Sequence, residues 1–213
     1  MTIDTYIHKA AEGEPGGPLF FVFHGTGADE NQFLGLGREL MPTATVIAPR
    51  GDVSEHGAAR YFRRTGEGVY DMDDLARATR KMTEFVRAHV EHKKPSAVVG
   101  LGYSNGANIL ASVLFAAPDL FDKAVMMHPL IPFEPQVDGS LAGTQILITA
   151  GQRDPICPPA LTQKLEADLR KLGADVELLW HEGGHEIRQA EILSAEAFLS
   201  AAPARRRGEA DER

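Results

Sequence analysis

The chain has 213 residues, 43% of them hydrophobic and 24% charged, with a net charge of −8 and one cysteine. That is the length of one ordinary domain with ample material for a core, and its negative charge excludes nucleic acid or an anionic membrane as a general partner. The single cysteine, Cys157, excludes an intrachain disulfide and fits a reducing, cytoplasmic setting.

At the start, Met1-Thr2-Ile3-Asp4-Thr5-Tyr6 lacks the basic and apolar regions of a signal peptide, and no apolar run is long enough to cross a membrane. The apolar run 19–23 has strand length and ends in His24-Gly25-Thr26-Gly27, where the glycines free an amide to turn inward. A helical pattern over 29–40 and a strand over 45–48 follow. Residues 51–71 then form a long connection, leaving the sheet at the edge where loops of α/β proteins build substrate walls. Next come a helix over 72–92, a strand over 97–101 and a helix over 106–116. Strands over 123–127, 145–149 and 176–180 complete the set, with helices over 159–172 and 187–199. This alternation predicts an α/β fold: a mostly parallel sheet with helices on both faces and no large lid. One domain is expected over 1–203, with 204–213 a polar, disordered tail.

The chemistry concentrates at Gly102-Tyr103-Ser104-Asn105-Gly106, which joins the strand over 97–101 to the following helix. Gly-x-Ser-x-Gly in a strand–turn–helix context is a nucleophile elbow: a tight turn that lifts the serine hydroxyl above the sheet at a helix N-terminus. The competing dinucleotide loop, Gly100-x-Gly102 with Gly106, has the wrong glycine spacing and no acidic residue at the expected distance.

A serine nucleophile needs a histidine base and an orienting carboxylate. Asp154 follows the strand over 145–149, and His185 follows the strand over 176–180, so both lie beyond strand ends in the order Ser, acid, His. Asp138, Asp175 and Glu182 compete for the acid, and His181 competes for the base. His185 is favoured because Gly183 and Gly184 free the backbone before it. His181-Glu182-Gly183-Gly184-His185 also fits the His-Glu-x-x-His zinc pattern, but two glycines oppose the helix that pattern needs. The oxyanion hole calls for two backbone amides, with Asn105 and Thr26 as the candidates.

These residues resemble the phospholipase/carboxylesterase family of α/β hydrolases, related to acyl-protein thioesterases. The match runs from His24-Gly25-Thr26-Gly27 through the elbow and Asp154-Pro155 to Gly184-His185. Arg60-Tyr61-Phe62-Arg63-Arg64 with Glu67-Gly68-Val69-Tyr70-Asp71 is similar to the hydroquinone-associated carboxylesterase branch. The resemblance implies an α/β-hydrolase fold and a serine esterase with Ser104, Asp154 and His185 as triad and Thr26 and Asn105 as oxyanion donors. Acyl-protein thioesterases usually carry Gln after the nucleophile, where this chain has Asn105, which points away from protein deacylation. A cysteine nucleophile occurs among dienelactone hydrolases, and Ser104 points away from that chemistry.

The expected substrate is therefore a small carboxylic ester, cleaved through an acyl-enzyme without metal or organic cofactor. Thioesters, lysophospholipids and a non-catalytic ligand-binding role are the alternatives. Tyr61, Phe62, Arg63, Tyr70 and Ile156 are expected to line the pocket. Arg60, Arg63 or Arg64 could meet a substrate carboxylate, against the competing fate of internal pairing with Glu67, Asp71 or Asp73. Cys157 is read as packing near the site. A homodimer is compatible with the family, although no motif demands it.

Overall fold

The structure is a computed structural model that describes residues 2–137 and 139–201; the segment 204–213, expected as a tail, and Asp138 lie outside the described residues. A seven-stranded sheet runs through the molecule in the order β1-β3-β2-β8-β9-β10-β11. Its strands are β1 (His8–Ala11), β2 (Leu19–Phe23), β3 (Thr45–Pro49), β8 (Val98–Tyr103), β9 (Lys123–Met127), β10 (Gln145–Gly151) and β11 (Asp175–His181). All pairings are parallel except β1 with β3. β2, β3 and β9 are buried along their whole length, because helices cover both faces, and so they read as unbroken apolar runs.

One face carries α2 (Met72–Lys93), α3 (Asn105–Ala116) and α4 (Pro159–Lys171). Phe85, Leu110, Leu114 and Leu165 belong there to one buried cluster with Phe21 and Phe23. The opposite face carries α1 (Leu34–Leu40) and α5 (Gln189–Ser200), with Phe198 and Leu199 against Val22 and Val125. α2 starts where the Asp71 side chain accepts the Asp74 amide and ends at Lys94 in a left-handed conformation, φ 48°. Among the described residues, no helix is long and apolar enough to cross a membrane.

Two differences from the sequence reading concern short elements. β1 is an antiparallel edge strand of four exposed or half-exposed residues, too polar and too short to register as apolar periodicity. The connection 51–71 is not irregular. It folds into two small hairpins, β4 (Val53–Glu55) with β5 (Ala58–Arg60) and β6 (Arg64–Gly66) with β7 (Val69–Tyr70).

The chain moves from β2 to β3 on one side, then returns to place β8 on the other side of β2. The connections leaving β2 and β8 therefore diverge over opposite faces, which opens a crevice at their carboxyl ends. The His24–Gly27 turn and Ser104 both emerge into that crevice.

Candidate active site

Ser104 closes β8 and opens α3, with φ 52° and ψ −116°. A non-glycine residue in that region carries about 1–3 kcal/mol of strain, so the surroundings must hold it. They do: the Ser104 amide donates to the Met127 carbonyl at 2.9 Å, and Gly102 and Gly106 pack backbone to backbone beneath the turn.

His185 reaches Ser104 from the loop after β11. Its Nε2 lies 2.9 Å from Ser104 Oγ, and its Nδ1 lies 2.7 Å from Asp154 Oδ2. Asp154 arrives from the loop after β10. β10 and β11 are neighbours with Gly151 opposite His181, so the two loops leave the sheet side by side. Backbone bonds lock them together, from Gln152 N–H to the His181 carbonyl and from Arg153 N–H to the Gly183 carbonyl. The Asp154 side chain is fully buried while His185 keeps 17% exposure, so the imidazole is open to the cavity and the carboxylate is not.

Burial works to raise the Asp154 carboxyl, but the Cys157 amide, the His185 and His128 imidazoles and the Ile156 amide together hold it below the usual carboxylate range. Asp154 is thus an anion with all its acceptor positions engaged. Tyr103 steadies the base from the other side, donating its hydroxyl to the His185 carbonyl at 2.7 Å.

The loop expected to supply an oxyanion donor is equally tied down. The amides of Gly25, Gly27 and Ala28 are spent on Gln32 Oε1, the Ala59 carbonyl and the Gly25 carbonyl. The Thr26 amide finds no acceptor among the described residues and remains as the loop's uncommitted donor. Asn105 is the first residue of α3, and amides of a first helical turn have no intrahelical acceptor. Thr26 and Asn105 line one cavity of about 300 Å³ together with Ser104 and His185. Arg60 donates to Thr26 Oγ1 at 2.7 Å and so fixes the orientation of that residue.

Of the residues expected in the pocket, Tyr70 and Ile156 line this cavity. Tyr61, Phe62 and Arg63 do not. Tyr61 and Phe62 are wholly buried. Tyr61 acts as a brace: its hydroxyl donates to the Pro49 carbonyl and accepts the His24 amide, and its own amide donates to Asn105 Oδ1. The His24 end of the glycine-rich loop and Asn105 are therefore both tied to one residue, the first by the Tyr61 hydroxyl and the second by its backbone amide.

Arg63 projects outward to Asp71 and Asp74. Arg64 lines the cavity but pairs with Glu55 and Glu67, and Arg60 lies near Glu55. Internal pairing thus occupies these arginines, and Asp73 takes no part in the pairs found here. Because the Arg63 side chain is 61% exposed, Arg63→Ala should cost no more than about 1 kcal/mol. It should also leave kcat/KM on acidic and neutral esters within about twofold of wild type. A selective loss on acidic esters would restore a recognition role.

His181, the competing base, lies on β11 away from Ser104. Its Nδ1 accepts the Gly183 amide, and its Nε2 faces Glu191 Oε2 at 3.3 Å. Residues 182–185 form no helix, so His181 and His185 take separate partners rather than a common metal. Asp175 lies at the opposite end of β11 from His185.

Four residues around the site were not picked out as functional from the sequence: Tyr103, Asn108, His128 and Glu191. Asn108 accepts the Leu130 amide and donates to the Tyr70 hydroxyl, shaping the cavity wall. His128 was findable, because it directly follows the β9 strand much as Asp154 follows β10. Glu191 was not, since one acid in a helical pattern reads as surface.

With this geometry established, likenesses to known proteins take on meaning. The family profile described as "Dienelactone hydrolase family" matches residues 55–191. The putative hydrolase MhqD of Bacillus subtilis (strain 168) is 37% identical over 86% of this chain and 93% of its own. The crystal structure of Atu2452, a protein of unknown function from Agrobacterium tumefaciens, superposes with TM-score 0.90 at 59% identity, over 93% of this chain and 98% of that one. A Bacillus cereus carboxylesterase superposes with TM-score 0.85 at 35% identity, over 90% and 92%. The chain belongs to the dienelactone hydrolase family and is a hydrolase of the α/β-hydrolase esterase type.

Proposed function

We propose that the protein is a serine carboxylesterase acting on small carboxylic esters through an acyl-enzyme. The observation that carries this reading is the continuous contact from Ser104 Oγ through His185 to Asp154. As Ser104 attacks the ester carbonyl, His185 Nε2 takes its proton and Asp154 stabilises the imidazolium that results. The amides of Thr26 and Asn105 receive the developing oxyanion. His185 then returns the proton to the departing alcohol, and water activated by the same imidazole releases the acid.

A cavity of about 300 Å³ suits a small ester rather than a long acyl chain. Its walls mix Tyr70, Leu130 and Ile156 with the paired Arg64 and Glu67. The reaction calls on no metal or organic cofactor, and a cytoplasmic setting fits the single buried thiol.

Intact-mass analysis after treatment with a fluorophosphonate tests the reading. One covalent adduct on the folded wild type, mapped to Ser104, is the expected result. A folded protein that takes up no adduct would sink the proposal and favour a ligand-binding role.

A further inference from the structure

Behind the catalytic acid lies a second histidine–carboxylate pair that the ester chemistry does not use. His128 is fully buried, and its ring touches two carboxylates: Nδ1 is 2.9 Å from Asp154 Oδ2 and Nε2 is 3.1 Å from Glu191 Oε1. It also has a left-handed backbone, φ 51°, making it the neighbour of Ser104 in strain as well as in space. Ser104 and His128 end adjacent parallel strands, each with its amide bonded to the next strand. Strain of that kind in a buried histidine persists only when the surroundings enforce it.

The protonation of His128 follows from counting donors. On Asp154, Oδ1 accepts the amides of Ile156 and Cys157, while Oδ2 faces His185 and His128. On Glu191, Oε1 accepts the Thr149 hydroxyl at 2.5 Å and faces His128, while Oε2 accepts the Arg188 amide at 2.6 Å and faces His181. His181 uses Nδ1 to accept the Gly183 amide, so its proton is on Nε2, which faces Glu191 Oε2 at 3.3 Å and lies 3.5 Å from His128 Nε2. The amides of Ile156, Cys157 and Arg188 and the Thr149 hydroxyl that bond these two carboxyls favour their ionised forms and help hold both below the usual carboxylate range. An imidazole that meets an ionised acceptor at each nitrogen must itself carry a proton on both.

Resting on the serine-esterase reading, we propose that His128 is a positioning residue. It is an imidazolium clamped between Asp154 and Glu191 that fixes the catalytic carboxylate and places a positive charge beside His185. The His128 and His185 ring centres are 5.1 Å apart. Two neighbouring imidazoles sharing Asp154 cannot both take a proton cheaply, since like charges disfavour the second. The clamp thus separates their tasks: the buried ring holds the charge, and the exposed ring stays available to Ser104.

Other groups around the pair fit this assignment. The Cys157 thiol, near both rings, is kept neutral because burial pushes its titration far up, and it donates to the His128 carbonyl. Tyr103 packs its ring against His128 and His185, with burial pushing its hydroxyl up to about 12. Glu186 and Arg188, on the loop before α5, pair with each other.

Two measurements decide the matter. The first is nitrogen NMR of the wild type labelled at histidine, with His128 assigned by the signal lost in His128→Asn. An imidazolium pattern still present at about pH 8, where an unperturbed imidazole is neutral, is expected. A neutral pattern there would overturn the clamp. This readout needs no turnover, so it stands even if Ser104 takes no fluorophosphonate or if Glu191→Gln fails to fold.

The second is the pH profile of kcat/KM on a small neutral aryl ester for His128→Asn, which keeps a donor toward Asp154 without charge, and for Glu191→Gln. Removing the cation makes protonation of His185 easier, so the acidic limb should move up by about one pH unit in both variants. A purely structural role would lower the melting temperature and scale the rate at every pH. An unmoved limb in folded variants would refute the charge argument.

Discussion

Ser104→Ala is expected to lower kcat on a small ester by about 10^5-fold while leaving the melting temperature nearly unchanged. The size follows from what is removed. Without Oγ there is no covalent path, and His185 can only activate water against a carbonyl still held by the Thr26 and Asn105 amides. The residual rate over uncatalysed hydrolysis should come from those amides and from binding. Stability is spared because the backbone restraints on position 104 do not involve the hydroxyl. The amide bond to the Met127 carbonyl and the first helical bond, from Asn108 N–H to the Ser104 carbonyl, both remain. Alanine also tolerates φ 52° no better than serine, so no strain is released. Steady-state kinetics beside thermal unfolding make the check. Wild-type turnover in a purified, folded variant would mean that another residue attacks the ester.

The parts of this site that could be read from the sequence share a physical property: they punctuate strand ends. An apolar run that stops at glycine or Asp-Pro announces both a buried strand and the loop that leaves it. Thr26, Ser104, Asp154 and His185 all lie within a few residues of such a stop. The six mutually parallel strands of the main sheet were legible for the same reason, since buried parallel strands are largely continuous apolar runs. The hairpins in 53–70 were not, because strands of two or three half-exposed residues have no periodicity to detect. Aromatic residues in that connection misled in a specific way. Tyr61 and Phe62 suggest a pocket wall by composition, yet the hairpins turn them inward to brace Asn105, His24 and Pro49. Arginines likewise suggest anion recognition until the nearby acids, Glu55, Glu67 and Asp71, are seen to occupy them. Glu191 shows the limit most clearly. Its meaning comes from the end of a helix meeting the ends of β9, β10 and β11, a coincidence of tertiary packing with no local signature.

Gly106→Ala should have the largest effect on stability, about 3 kcal/mol or more, with activity falling by over 100-fold in whatever protein remains folded. A Cβ at this position would stand 2.2 Å from the Phe23 carbonyl oxygen and 2.6 Å from that of His24. Those atoms belong to the end of β2 and the start of the oxyanion loop. They cannot retreat alone, because Phe23 and His24 are packed in the core and the His24 imidazole accepts the Gly51 amide. The chain can respond only by moving α3 away from β2, and α3 begins at Asn105. The two proposed oxyanion donors would then separate, since Thr26 follows β2 and the Asn105 amide travels with the helix. Gly35→Ala in α1 is the matched control. Nothing lies within 4 Å of its Cβ position, and alanine there should stabilise by up to about 1 kcal/mol through helix propensity. Urea denaturation of the two variants separates a general glycine effect from this particular collision. A Gly106→Ala protein as stable as wild type would mean that α3 and β2 are not held at the distance the elbow requires. That close approach sets the first turn of α3 beside the loop leaving β2, and no side chain larger than hydrogen at position 106 is compatible with it.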